Sequence, residues 1–219
     1  EQQKNDLLLY LAHDLKTPLT SIIGYLNLLV NQPELSAKER ADYTKIAYDK
    51  AIRLEELIEE FFSIAKYNLS DTVIETETVN LSIMLAQISY EFMPLYQEKK
   101  LNCLTQITEN LKVQIDINQF ERVFDNLIRN AINYSIENSD IIIGARQEND
   151  DIIITVSNAI DKNKTYNIDH IFEPFVRLDE SRNSKTGGSG LGLAITKKIV
   201  ELHHGTISAA IDDGRITFT

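Results

Sequence analysis

The chain has 219 residues, 43% of them hydrophobic and 25% charged, with a formal net charge of −11. That apolar content is ample for one or two packed cores and excludes a disordered chain. The acidic excess excludes nucleic acid and anionic membrane surfaces as partners, because both are recognised by clustered Lys and Arg.

The single cysteine, Cys103, can form no internal disulfide and lacks metal-ligand spacing, so it reads as a small core hydrophobe in a reducing compartment. No window approaches the roughly 18 to 20 apolar residues of a membrane-spanning helix. The opening Glu1-Gln2-Gln3-Lys4-Asn5-Asp6 runs straight into a helical pattern with neither cap nor signal peptide. The chain is therefore expected to continue a longer protein.

Apolar residues recur at Leu8, Leu11, Leu15, Leu19, Ile22, Leu26 and Leu29, steps of three and four that predict an amphipathic helix to about Val30. Asn31-Gln32-Pro33 stops it, and Ser36 with Glu39 makes a capping box that opens a second helix. The stripe of that helix reads Ile46, Ala47, Ala51, Leu54, Leu57, Ile58, Phe61, Ile64 and Ala65. Two long helices joined by a short turn form an antiparallel hairpin, which cannot bury so much apolar surface alone. Pairing two hairpins into a four-helix bundle implies a homodimer.

Residues 68–80 lose the helical period and become β-branched, a linker or an entering strand, so the domain boundary falls there. The hairpin occupies 1–67 and a second domain 81–219. That domain is predicted to hold helices at 81–99, 118–135 and 191–203. Its strands are predicted at 101–107, 112–115, 140–147, 151–158, 206–211 and 215–219. The fold class is thus α+β in two domains: a helical hairpin, then an α/β sandwich with a mixed sheet covered by three helices.

Three stretches carry chemistry. His13, in Leu11-Ala12-His13-Asp14-Leu15-Lys16-Thr17-Pro18-Leu19, lies two residues from both Leu11 and Leu15, off the apolar stripe, and is expected to face water. Asp14 can bias its tautomer or act as a base beside it. Pro18 lacks the N–H that would bond the Asp14 carbonyl and is expected to loosen or kink the helix there, at a cost of roughly 3 kcal/mol in an ordinary helix interior. A lone surface histidine reads as a bystander just as well.

Gly187-Gly188-Ser189-Gly190-Leu191-Gly192-Leu193 opens a helix, where free N–H groups and the positive helix end can meet an anion. No strand precedes it and no Gly-Lys-Ser/Thr ends it, so it is neither a Rossmann turn nor a P-loop, and a flexible connection remains the plain alternative. Asn126 and Asn130 stand one turn apart beside Arg129 and Asn133. Asn is a poor helix-interior residue; Mg²⁺ ligation is one reason to keep it, a solvated face another.

Taken together these stretches resemble sensor histidine kinases of two-component systems. Residues 13–19 resemble the H box, Asn126-Leu127-Ile128-Arg129-Asn130-Ala131 the N box, Phe172-Glu173-Pro174-Phe175 the F box and residues 188–195 the G2 box, in the family's order. The wording of residues 11–29, 53–69 and 175–195 looks most like the vancomycin-resistance VanS type. The resemblance implies a dimerisation and phosphotransfer hairpin followed by an ATP-binding domain. It implies that Asn126 and Asn130 hold Mg²⁺ on the ATP phosphates and that Tyr134 packs near the adenine. Arg177, Gly188, Gly190 and Gly192 would lie at the phosphates, with 177–189 as a mobile lid. His13 would attack the γ-phosphate, assisted by Asp14, with Lys16 at the phosphate. Asp14 and Thr17 match positions implicated in dephosphorylating the cognate response regulator, whose aspartate receives the phosphoryl group. The whole protein would be a membrane-anchored sensor with this part on the cytoplasmic side.

Two departures stand out. The family's G1 box reads Asp-x-Gly-x-Gly; the matching stretch here is Asn158-Ala159-Ile160-Asp161-Lys162, with both glycines gone and Asn158 at the adenine-contacting position. Asn133 stands where a lysine often contacts phosphate. Both changes predict nucleotide affinity below the family norm. Two alternatives stay open: a chain that acts mainly as a phosphatase, and a phosphotransfer scaffold without ATP binding. His170, His203 and His204 have no partners at metal spacing and read as bystanders.

Overall fold

The structure, a computed structural model, describes residues 2–68, 74–166, 168–176, 178 and 190–219, with side chains at all of these but 2–13 and 66–68. It divides into two compact units, Glu1–Ser70 and Asp71–Thr219. No described helix is long and apolar enough to cross a membrane.

The first unit is α1 (Gln2–Asn31) packed on α2 (Ala37–Asn68). The capping box forms reciprocally: the Glu39 N–H donates to Ser36 Oγ at 3.2 Å, and Glu39 Oε2 accepts from the Ser36 N–H at 2.9 Å and from its Oγ at 2.7 Å. These bonds hold the Glu39 carboxyl below its usual value. Helix α1 continues unbroken through Pro18, which is buried. Ala47, Leu57 and Ile64 are buried in this unit, whereas Leu19, Ile23, Leu26, Val30, Ile52, Ile58 and Phe62 stay exposed. One hairpin leaves a row of apolar side chains uncovered.

The second unit begins with β1 (Glu77–Asn80), then α3 (Leu81–Glu91) and α4 (Met93–Glu98). The continuous helix predicted over 81–99 is broken at Phe92, because Pro94 has no N–H to offer the Tyr90 carbonyl; the Phe92 N–H bonds that carbonyl instead. The chain continues as β2 (Asn102–Ile107), β3 (Lys112–Ile115), α5 (Ile117–Tyr134), β4 (Asp140–Glu148), β5 (Asp151–Ala159), α6 (Gly192–Leu202), β6 (Ala209–Asp212) and β7 (Arg215–Phe218). A five-stranded sheet has the order β2-β4-β5-β7-β6, with β2 parallel to β4 and the other pairs antiparallel. Residues 77–80 form an antiparallel ribbon with β3.

Period-two alternation puts Ile141, Ile143, Ala145 and Val156 on one buried face of the sheet. Helices α5 and α6 supply Phe124, Leu127, Ile128, Ala131, Ile195 and Ile199 to the core. At roughly 1.5 to 3 kcal/mol per buried large apolar side chain, this interface dominates the unit's stability. Cys103 is half-buried, and burial pushes its thiol up.

Candidate nucleotide and phosphoacceptor sites

Asn126, Asn130 and Tyr134 follow one another at four-residue steps along α5 and so share a face. Asn126 Nδ2 donates to the Gly192 carbonyl at 3.1 Å and to Thr196 Oγ1 at 3.4 Å. Thr196 is fully buried, and a Cβ on Gly192 would stand only 3.3 Å from Asn126 Oδ1. The missing side chain of Gly192 therefore lets the start of α6 close on the polar face of α5. Asn130 is half-buried, and its side chain makes no hydrogen bond to a described residue.

Leu191, the N-cap of α6, has no side-chain oxygen to cap the first-turn N–H groups. That end of the helix is suited to an anion. Just before it the chain is clamped: Gly190 has φ +75°, and a Cβ there would lie 2.8 Å from Phe175 Cα and C. The Phe175 N–H donates to the Gly190 carbonyl at 2.8 Å, and Phe175 itself sits at φ +66°. His170 Nδ1 meets Glu173 Oε1 at 2.7 Å; this hydrogen bond and the carboxylate's charge raise the imidazole above its ordinary value.

The stretch matching the G1 box ends β5. Asn158 is 1% exposed, stands in register with Ile141 and Ile216, and its Oδ1 has no partner among the described residues. Its Nδ2 reaches only the Ala159 carbonyl, at 3.4 Å. The chain leaving α5 adjoins this point, since the Ile136 N–H donates to the Ala159 carbonyl at 3.2 Å.

Beyond it the loop is built by side chains. Asp161 Oδ1 accepts from the Asn163 N–H at 2.9 Å, the Asp161 N–H donates to Tyr166 Oη at 3.1 Å, and the Ile160 N–H donates to the Gly214 carbonyl at 2.8 Å. Lys162 Nζ pairs with Asp213 at 2.6 Å, holding that carboxyl below its usual value. No residue from 158 to 166 takes a positive φ.

Asn126 and Gly192 thus meet where α5 packs on α6, with Asn130 one turn on along α5 and Gly190 two residues before Gly192. Tyr134 lies further along the same helix face and Asn158 at the adjoining end of β5. Arg177 and Gly188 lie outside the described residues, as does most of the 177–189 stretch. In the first unit the backbone of His13 is helical, while its expected outward side chain lies outside the described residues. Asp14 is half-buried, and Lys16 and Thr17 are exposed.

Among the described residues no cluster of His, Cys, Asp or Glu could hold a metal. The carboxamide oxygens of Asn126 and Asn130 are hard donors that fit Mg²⁺, which takes few protein ligands and fills its sphere with water and phosphate oxygens.

Sequence reasoning missed two supports. Thr196 shares the Asn126 amide. His203 Nε2 accepts the Asp116 N–H at 3.0 Å while Nδ1 donates to the Ile199 carbonyl at 2.8 Å, which ties the end of α6 to the N-cap of α5. Its partner lies 87 positions away, and no local signal announces it.

Residues 3–69 match the His Kinase A (phospho-acceptor) domain, and residues 115–219 match the histidine kinase-, DNA gyrase B- and HSP90-like ATPase family. The chain is 50% identical over its whole length to sensor protein VanSC of Enterococcus gallinarum, covering 60% of that protein. It is 45% identical to sensor protein VanS of Enterococcus faecium, covering 56% of it. The chain therefore spans little more than half the length of these curated relatives.

Solved structures share the fold. Acinetobacter baumannii histidine kinase AdeS has TM-score 0.75 at 21% identity, with 94% of each chain covered. Histidine kinase ThkA, solved in complex with response regulator protein TrrA, has TM-score 0.76 at 22% identity over 97% of this chain and 59% of that one. Full-length ShkA in complex with AMPPNP has TM-score 0.68 at 21% identity, over 98% of this chain and 45% of that one. With a phosphoacceptor domain followed by a kinase-type ATPase domain, the chain belongs to the histidine kinases, of the VanS type.

Proposed function

We propose that the chain is the signalling core of a sensor that autophosphorylates on His13 from Mg-ATP and passes the phosphoryl group to an aspartate of a response regulator. The junction of α5 and α6 carries this reading. The Asn126 amide ties a helix start that lacks a side-chain cap to the face that bears Asn130, which supports N–H groups suited to an anion beside carboxamides suited to a metal.

Asn126 and Asn130 would hold Mg²⁺, which neutralises charge on the transferring phosphoryl group. Gly188, Gly190, Gly192 and Arg177 would line the phosphates, and Tyr134 and Asn158 would meet the base. Phosphoryl transfer needs alignment and charge neutralisation more than covalent help from the protein. An imidazole with Asp14 to orient it or take its proton therefore suffices as acceptor, and exposed Lys16 is available to the phosphate.

The ThkA complex with TrrA and the AMPPNP complex of ShkA supply the chemical classes of partner and nucleotide. The exposed stripe Leu19, Ile23, Leu26 and Val30 on α1 supports a second copy of the chain, completing a four-helix bundle. Exposed Thr17 would hold the water that dephosphorylates the regulator. The whole protein would be anchored in the membrane with this core on its cytoplasmic side.

Incubation with γ-labelled Mg-ATP tests the reading. Label is expected on the wild-type chain, to be absent from His13→Gln and from Asn130→Ala, and to move to an added cognate response regulator. Label retained by His13→Gln would overturn the assignment.

A further inference from the structure

We infer that Thr196 is a positioning residue for the metal: its buried hydroxyl, with the Gly192 carbonyl, holds the Asn126 carboxamide in the orientation that leaves Oδ1 for Mg²⁺. This rests on the nucleotide-binding reading above. A carboxamide has one end that ligates a hard cation and one that repels it, and half a turn about Cβ–Cγ exchanges them. Two acceptors settle the choice here. Asn126 Nδ2 lies 3.1 Å from the Gly192 carbonyl and 3.4 Å from Thr196 Oγ1. The carbonyl can only accept, so a half turn would set Oδ1 against it; it selects the nitrogen end. That single bond leaves the amide plane free to swing. The hydroxyl, one turn further along α6, gives the second N–H an acceptor and fixes the plane. A Cβ on residue 192 would stand 3.3 Å from Oδ1, so glycine keeps the approach to that oxygen clear.

Burial gives the contact weight. Thr196 is 0% exposed, in a helix whose other buried residues, Leu193, Ile195 and Ile199, are apolar. A hydroxyl at that depth is unfavourable without a polar partner, and valine would fill the same volume with none. Among the described residues, the buried Ser89 hydroxyl bonds within its own helix, to the Leu85 carbonyl at 2.6 Å, whereas that of Thr196 meets a side chain of another element. Asn130 differs again, its side chain making no hydrogen bond to a described residue. The pair thus comprises one ligand oriented in advance and one that turns to meet the ion. A ligand already oriented avoids an ordering cost on binding, and outer partners of metal ligands are worth roughly 10- to 100-fold in affinity.

The test is calorimetric titration of the chain with ATP, once with Mg²⁺ and once with EDTA, for wild type, Thr196→Val and Thr196→Ser. The ratio of the two affinities is the metal's contribution. Wild type should bind ATP more tightly with Mg²⁺. Thr196→Val should lose about three- to tenfold of that gain, at and just below the lower end of the outer-shell range because the 3.4 Å bond is long. Its affinity in EDTA should match wild type, and Thr196→Ser, which keeps the hydroxyl, should restore the gain. A general loosening of α6 would instead lower both affinities together. Should valine prevent folding, Thr196→Ala reads the same ratio. No gain from Mg²⁺ in wild type, a gain undiminished in the valine variant, a loss shared equally by EDTA, or serine no better than valine overturns the inference while leaving the nucleotide site in place. Failure of wild type to bind ATP at all overturns both.

Discussion

The two sides of the candidate nucleotide site are built by different means. On the phosphate side, Gly190 occupies a left-handed conformation pressed on the Phe175 backbone, and Gly192 lets α6 approach Asn126. On the base side, the glycines typical of the family are absent and no residue from 158 to 166 has a positive φ. There an Asx turn at Asp161, the Tyr166 hydroxyl and the Gly214 carbonyl hold an ordinary backbone in place. Read as sequence, Asn158-Ala159-Ile160-Asp161-Lys162 is a degraded motif. As structure it is a loop with no positive φ, held by side chains, and such a backbone path does not require glycine.

The sharpest way to break that contrast is to restore a glycine. Ile160→Gly recreates the family's residue but removes a side chain 2% exposed in the core. The lost burial and the added backbone freedom should together cost about 4 kcal/mol. Urea unfolding of the second unit would read this as a lowered midpoint. An unchanged midpoint would mean that the loop still prefers its glycine path. Gly190→Ala is the converse, a single methyl added where the backbone demands glycine. With φ +75° and Phe175 atoms 2.8 Å from the new Cβ, it should cost about 2 kcal/mol and weaken nucleotide binding as well. A variant as stable as wild type would show that the Phe175 clamp is loose.

What the sequence made legible was local. The capping box at Ser36 and Glu39, the helical period of α1 and α2, the β4–β5 hairpin and the Asn126–Asn130 face all arise from residues a few positions apart, where spacing alone dictates geometry. The ribbon of β1 with β3 joins segments some 35 residues apart, and nothing in residues 77–80 names the partner. The same holds for the His203 bridge to Asp116 and for the Asn126 amide on Gly192 and Thr196. Periodicity shows which face of α5 is polar; only the fold shows that the Asn126 amide is bonded to α6. The break at Phe92 was legible in principle, since Pro94 forbids the helix from continuing as one piece.

The smallest effect concerns the loop between the two sides. His170 is exposed, and its bond to Glu173, followed by that carboxylate's charge and the charge of Asp169, raises its pKa above the ordinary histidine value. A group whose folded pKa is raised contributes its stabilisation below the unfolded value and loses it as pH climbs through the folded one. The turn at 170–173 should therefore be tightest under mildly acidic conditions and relax as pH climbs above the ordinary histidine range. Proton NMR should place the His170 imidazole titration above that of a free histidine, and Glu173→Gln should bring it down. Solvent and salt screen an exposed pair, so global stability should scarcely follow. An imidazole titration indifferent to Glu173→Gln would mean that the turn is held by its backbone bonds, Glu173 N–H to the His170 carbonyl at 2.8 Å and Val176 N–H to the Glu173 carbonyl at 3.3 Å, with the side chains adding nothing.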